Sequence, residues 1–137
     1  MRLVSIGDVN AEFGSLAARR FGYERNDTSW QAIAAADDID VVSVVIANSL
    51  HREVVEGLLA AGKHVLREKP LSDTLEDARA MAAAARIAPT IARVGFTYRL
   101  SPGSPTSVIS SAPANSARCC TSVAATGRTT RAARPPR

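Results

Sequence analysis

Glu68-Lys69-Pro70 is the stretch of this 137-residue chain in which residue type and order most directly suggest chemistry. It follows Ala61-Gly62-Lys63-His64-Val65-Leu66-Arg67, which reads as the end of a helix stopped at a glycine and then a short strand. Proline lacks an amide proton and has a fixed φ, so Pro70 ends the strand and turns the chain. The residue before a proline is pushed towards extended backbone, which leaves Lys69 at the strand's carboxyl end. Ligands of open parallel sheets bind beyond that end, so an acid and a lysine delivered there face a cofactor or a substrate. A lysine so placed donates hydrogen bonds to hydroxyl groups. It serves as a base only where burial or neighbouring cations favour its neutral form. With Glu68 adjacent, positioning is the expected role of Lys69.

The elements around it follow from the apolar pattern. Residues 2–6 read as a short buried strand, with Gly7 and Asp8 at its carboxyl end. Asn10 is placed to cap a helix over 11–21 that turns Phe13, Leu16, Ala17 and Phe21 inward, and Gly22 stops it. Thr28 and Gln31 form a capping box for a short helix over 29–36, with Trp30 and Ile33 buried. Residues 41–46 are the strongest strand signal, apolar on both faces like a central parallel strand covered by helices. A helix over 51–61 turns Val54, Val55, Leu58 and Leu59 inward, and a strand over 64–67 leads to the acid and lysine. Thr74 and Asp77 open a helix over 75–87, Pro89 closes it, and a strand over 90–96 brings Thr97-Tyr98-Arg99 to its mouth. Strand and helix alternating with short links predict an α/β fold with a right-handed parallel sheet.

Charge divides the chain. Residues 1–100 carry 12 basic and 13 acidic side chains, whereas residues 101–137 carry five arginines and no acid. The net charge of +4 therefore belongs to the tail and does not mark the patterned part as a nucleic-acid binder. Five of the seven prolines and seven serines lie in that tail without an apolar period, so residues 103–137 are expected to be disordered and residues 1–102 to form the domain. Spread arginines with no aromatic to stack on bases argue against a nucleic-acid-binding arm, so no nucleic-acid partner is expected. The two cysteines, Cys119 and Cys120, are adjacent and give no zinc spacing, so no metal is expected. The apolar run at the start is cut short by Gly7 and Asp8, and no run is long enough to span a membrane. A cytoplasmic protein is the expectation.

Asp8 after a strand, VVSVVIANSLH over 41–51, AGKHVLREKP over 61–70, DARAMAAAAR over 77–86 and VGFTYR over 94–99 together resemble the Gfo/Idh/MocA oxidoreductases, relatives of glucose–fructose oxidoreductase and inositol dehydrogenase. The resemblance covers residues 2–102. It implies a Rossmann domain that binds NAD or NADP, followed in the family by a substrate domain, and oxidation or reduction of a sugar, cyclitol or related hydroxyl compound. By resemblance, Lys69 is the catalytic or positioning residue near the nicotinamide ribose, and Glu68 contacts the nicotinamide side. Asn48 and His51 line the same pocket, and Tyr98 and Arg99 close its far wall. Asp8 has the location of the acid that grips the adenosine ribose, which favours NAD. Hydride transfer needs little from the protein beyond positioning and a proton acceptor, and these residue types suit that.

The sequence also departs from the family. No G-x-G-x-x-G turn opens it, and Gly7 and Gly14 are too far apart to form one. The chain begins at what resembles the second strand. The absent first strand is central in the order 3-2-1-4-5-6, so the strands at 2–6 and 41–46 are expected to lack a common neighbour and to expose unpaired edges. The helix that leads to the substrate domain is replaced after Pro102 by the patternless tail, as out-of-frame translation would produce. The expectation is an incomplete Rossmann-like sheet, a chain truncated at both ends and inactive alone. The alternative is a non-catalytic remnant that acts by pairing with another chain. Self-association is left open.

Overall fold

Every strand of the sheet runs the same way, so each loop that follows a strand opens onto one rim. A computed structural model of the protein describes residues 2–96 and, for residues 119–124, the backbone. In chain order the elements are β1 (Ser5–Gly7), α1 (Ala11–Phe21), β2 (Arg25–Asp27), α2 (Trp30–Ala35), β3 (Val41–Val45), a short 3₁₀ turn (Asn48–Leu50), α3 (His51–Ala60), β4 (His64–Glu68), α4 (Leu75–Ile87), β5 (Ala92–Gly95) and β6 (Cys119–Ala124). The strands lie in the order β2-β1-β6-β3-β4-β5. Stepping from β3 to β5 runs in one direction and from β1 to β2 in the other. Right-handed crossovers therefore put α2, α3 and α4 on one face and α1 on the other.

The helices begin and end where polar side chains and glycines satisfy their ends. The Asn10 side chain accepts from the Glu12 and Phe13 amides, and Gly22 closes α1 in the left-handed conformation at φ 77°. Thr74 accepts from the Asp77 amide at the head of α4. Gly62, at φ 74°, turns the chain from α3 into β4. The core lies between the sheet and α2, α3 and α4, where Val4, Ile33, Ile39, Val42, Val44, Leu58 and Val65 are each at most 3 % exposed.

Four expectations are corrected. The polar strand β2 has no apolar period to announce it, yet it pairs along β1 from Ser5 with Arg25 to Gly7 with Asp27. The cap of α2 is Ser29 rather than Thr28, its hydroxyl accepting from the Ala32 amide. In α1, Phe13, Leu16 and Phe21 are 48 %, 51 % and 58 % exposed, and Gly14 and Ala18 turn inward instead. The helix comes close through its small residues, because a Cβ at Gly14 would stand 3.2 Å from Asn26 Nδ2 and 3.5 Å from Asp8 Cβ. β3 alternates rather than being buried on both faces: Val42 and Val44 enter the core, while Val45 is 40 % exposed on the face away from α3.

The edges of β1 and β3 are not left open either. β6 lies between them, parallel to both, pairing Val123 with Gly7 on one side and Ser122, Val123 and Ala124 with Ser43, Val44 and Val45 on the other. Its register on β3 shifts between Val41 and Ser43. Six residues of the segment expected to be disordered thus form the strand that joins the two halves of the sheet. The other residues of that segment lie outside the described ones.

Candidate functional site

Asp8, Thr28, Ile46 and Lys69 each follow the last residue of a strand, so topology alone gathers them on the carboxyl rim. Asp8 is 8 % exposed. Its amide donates to the Asp27 carbonyl at 3.1 Å, which carries the ladder one residue past β1. Its carboxylate oxygen Oδ1 accepts from the Asn10 amide at 2.8 Å, fixing the turn into α1. The side chain lines a cleft of about 180 Å³ with Trp30, Gln31, Ile46, Leu50 and Val54. Trp30 is seated on Gly57 of α3, where a Cβ would collide with the ring. One wall of the cleft is thereby fixed by an aromatic plane against a glycine.

The loops after β3 and β4 form the second part of the rim. Asn48 Nδ2 donates to Asp73 Oδ1 at 2.9 Å and joins the two loops near the surface. Glu68 is half-buried at the end of β4 and pairs in register with Gly95 of β5, while Lys69 is exposed and precedes Pro70 through a cis peptide bond. His51 does not reach the cleft. It is 1 % exposed beneath the rim, with Nε2 3.0 Å from the Ile46 carbonyl. A carbonyl only accepts, so Nε2 carries the proton and Nδ1 of the neutral ring is an acceptor. Burial first, and then the nearby Arg67 charge, hold the imidazole below its usual pKa.

Arg67 is the residue that sequence reasoning missed. It is 2 % exposed, and its Nη1 donates to the Leu71 carbonyl across the turn that carries Lys69 and Pro70. Nε and Nη2 find no partner among the described residues. Burial pushes its guanidinium pKa down, against the pull of Glu68. The signal was available: Val65 faces the core, and a residue two positions along a strand shares its face. Tyr98 and Arg99, expected at the far wall, lie outside the described residues.

A nicotinamide dinucleotide fits part of this arrangement. Asp8 beside a cleft suits a ribose, and Asn48, Glu68 and Lys69 offer polar groups at the other loops. The pyrophosphate has no glycine-rich cradle among the described residues. The start of α1 does not replace one, because the Asn10 side chain already takes the Glu12 and Phe13 amides.

Residues 1–96 match the model of the family described as the oxidoreductase family with an NAD-binding Rossmann fold. Levoglucosan dehydrogenase of Pseudarthrobacter phenanthrenivorans is 39 % identical over 97 residues, covering 71 % of this chain and 25 % of the relative. The 1,5-anhydro-D-fructose reductase of Ensifer adhaerens is 45 % identical over 84 residues, covering 61 % of this chain and 25 % of the relative. The solved structure of levoglucosan dehydrogenase in complex with NADH and levoglucosan superposes with a TM-score of 0.69 at 38 % identity, over 72 % of this chain and 26 % of that one. The chain thus spans about a quarter of the length of the curated relatives it matches.

Proposed function

We propose a function from one premise: the chain belongs to the Gfo/Idh/MocA oxidoreductase family. On our reading it is the cofactor-binding part of an enzyme that moves a hydride between a nicotinamide dinucleotide and a sugar, cyclitol or related hydroxyl compound. The observation that carries this reading is Asp8, which directly follows β1 and opens onto the rim cleft where a ribose would sit. A carboxylate there accepts hydrogen bonds from a ribose diol and repels a 2′-phosphate, so NAD is preferred to NADP. When bound, the nicotinamide carries the hydride. Lys69 and Glu68 hold its ribose and carboxamide side, and Asn48 orients the neighbouring loop. The relatives' sugar substrates support the substrate class.

Titrating the full chain with NADH and with NADPH tests this reading, with nicotinamide fluorescence excited by energy transfer from Trp30, the chain's one tryptophan. NADH is expected to bind more tightly than NADPH. Asp8→Ala should weaken NADH about tenfold, the equivalent of about 1.4 kcal/mol, and narrow the difference between the two cofactors. Equal affinity of the wild type for both would overturn the role of Asp8, and no binding of either would overturn the cofactor reading. A second reading, a nucleotide-fold chain that acts by pairing with another chain, is favoured by the lack of a glycine-rich turn among the described residues. The absence of cofactor binding, with stable complexes in solution, would select it.

A further inference from the structure

Arg67 is a buried charge that the fold does not require. It lies between β4 and α4 beside Val55, Leu71, Met81 and Ala85, surroundings that an unbranched apolar side chain would fill. Burying a guanidinium is costly unless a carboxylate and hydrogen bonds compensate. Among the described residues the partners are one carbonyl, that of Leu71, and the electrostatic pull of Glu68. What the arginine does accomplish is local. It stitches the strand residue just before Glu68 to the carbonyl just after Pro70, across the turn that presents Lys69.

The same buried layer holds the neighbouring loop. His51, the first residue of α3, donates from Nε2 to the Ile46 carbonyl and so ties the start of the helix to the residue that follows β3. Arg67 pairs in register with Val44, two residues before the Ile46 that His51 holds, and its charge acts on the imidazole. The charges that act on His51 are Arg67, which disfavours its protonation, and Asp73, which favours it. A neutral His51 offers an acceptor, Nδ1, and Arg67 offers two donors, Nε and Nη2, all three unpartnered among the described residues. Asn48 and Asp73 already join the two loops near the surface.

We propose that Arg67 is the positioning residue of the rim: it holds the Lys69 turn from below and couples it, through His51, to the loop that bears Asn48. The coupling is a property of the chain itself. Its consequence for the cofactor rests on the proposed dehydrogenase reading, because a rim fixed in this way sets Lys69 and Asn48 at a constant separation before a ligand arrives.

Amide hydrogen exchange on the full chain, resolved over residues 44–52 and 67–75, tests the coupling. Arg67→Met should leave the melting temperature unchanged or higher, yet speed exchange about tenfold in both segments while β1 and α4 stay protected. Arg67→Lys, which keeps the charge but not the fork, should restore most of the protection over 67–75. Should Arg67→Met fail to fold, His51→Asn decides. It retains a donor for the Ile46 carbonyl and removes the imidazole beside Arg67, so it should also loosen residues 67–75. Loosening of one segment alone, or of neither, overturns the proposal. NADH titration of the same variants separates this idea from the cofactor reading. Coupled loosening in a chain that never binds NADH would leave the positioning role standing and defeat the dehydrogenase reading, whereas NADH binding with uncoupled loops would do the reverse.

Discussion

Arg25 holds both carboxylate oxygens of Asp38, at 2.7 Å and 2.9 Å, and that pairing lowers the Asp38 pKa from 3.8 to about 2. A carboxylate whose folded pKa is depressed adds stability that is present above its unfolded value and is lost as the pH falls through the folded one. The contribution therefore fades between pH 3.8 and about 2. Arg25→Gln should lower the urea midpoint at pH 6 and leave it nearly unchanged at pH 2; equal losses at both would show that the pair's charge is not the cause. Nothing in a single chain says that an arginine 13 positions earlier returns beside Asp38. Lys63 was hidden for the same reason: it is 7 % exposed and donates to the Ala36 carbonyl, yet it looks like an ordinary surface cation until the partner element is known. Asp8 and Lys69 were legible on the rim, because a residue that directly follows a strand needs no tertiary knowledge to be placed there.

At the level of elements, legibility followed the strength of the end signals. α1 and α4 were readable to the residue, because each has an Asn or Thr cap and a Gly or Pro beyond its end. α2 slipped by one position, since Thr28 and Ser29 are both competent caps and sequence alone does not rank them. β2 was missed because Arg25-Asn26-Asp27 has neither alternation nor β-branched residues. It is a strand only because β1 offers it an edge, so its register is tertiary information. The cap of α4 gives the cleanest test. Thr74 accepts from the Asp77 amide at 3.1 Å and donates to the Asp77 carboxylate at 2.7 Å, while Arg52 also holds that carboxylate at 3.0 Å. Thr74→Ala should cost about 1 kcal/mol, a fall of roughly 3–5 °C in melting temperature, and Thr74→Ser should recover most of it. A loss well above that would mean that Arg52 does not keep Asp77 in place once the hydroxyl is gone.

For the molecule as a whole, the sheet consists of two pieces, β2-β1 and β3-β4-β5, that share no direct ladder. Helix contacts join them on one face, where α2 meets both β1 and α3. Within the sheet plane, among the described residues, β6 alone connects them. The sequence reading left the strands at 2–6 and 41–46 without a common neighbour. It did not predict the bridge, because Cys119-Cys120-Thr121-Ser122-Val123-Ala124 is a brief apolar stretch amid serine, proline and arginine. Two apolar edges facing each other across a one-strand gap accept a strand of modest propensity, because its backbone groups find an edge to pair with on either side. A proline within that strand is the sharpest probe. Ser122→Pro removes a ladder donor from an interior strand, where proline is not tolerated. In the full chain, hydrogen exchange over residues 119–124 and 41–45 should accelerate together, with β4 and β5 less affected. Sedimentation should show larger species as the freed edges of β1 and β3 pair between molecules. If residues 119–124 of the wild type exchange as fast as an unstructured peptide and the variant sediments like the wild type, β6 does not hold the two pieces together. Stability would then rest on the contacts of α2 with β1 and α3.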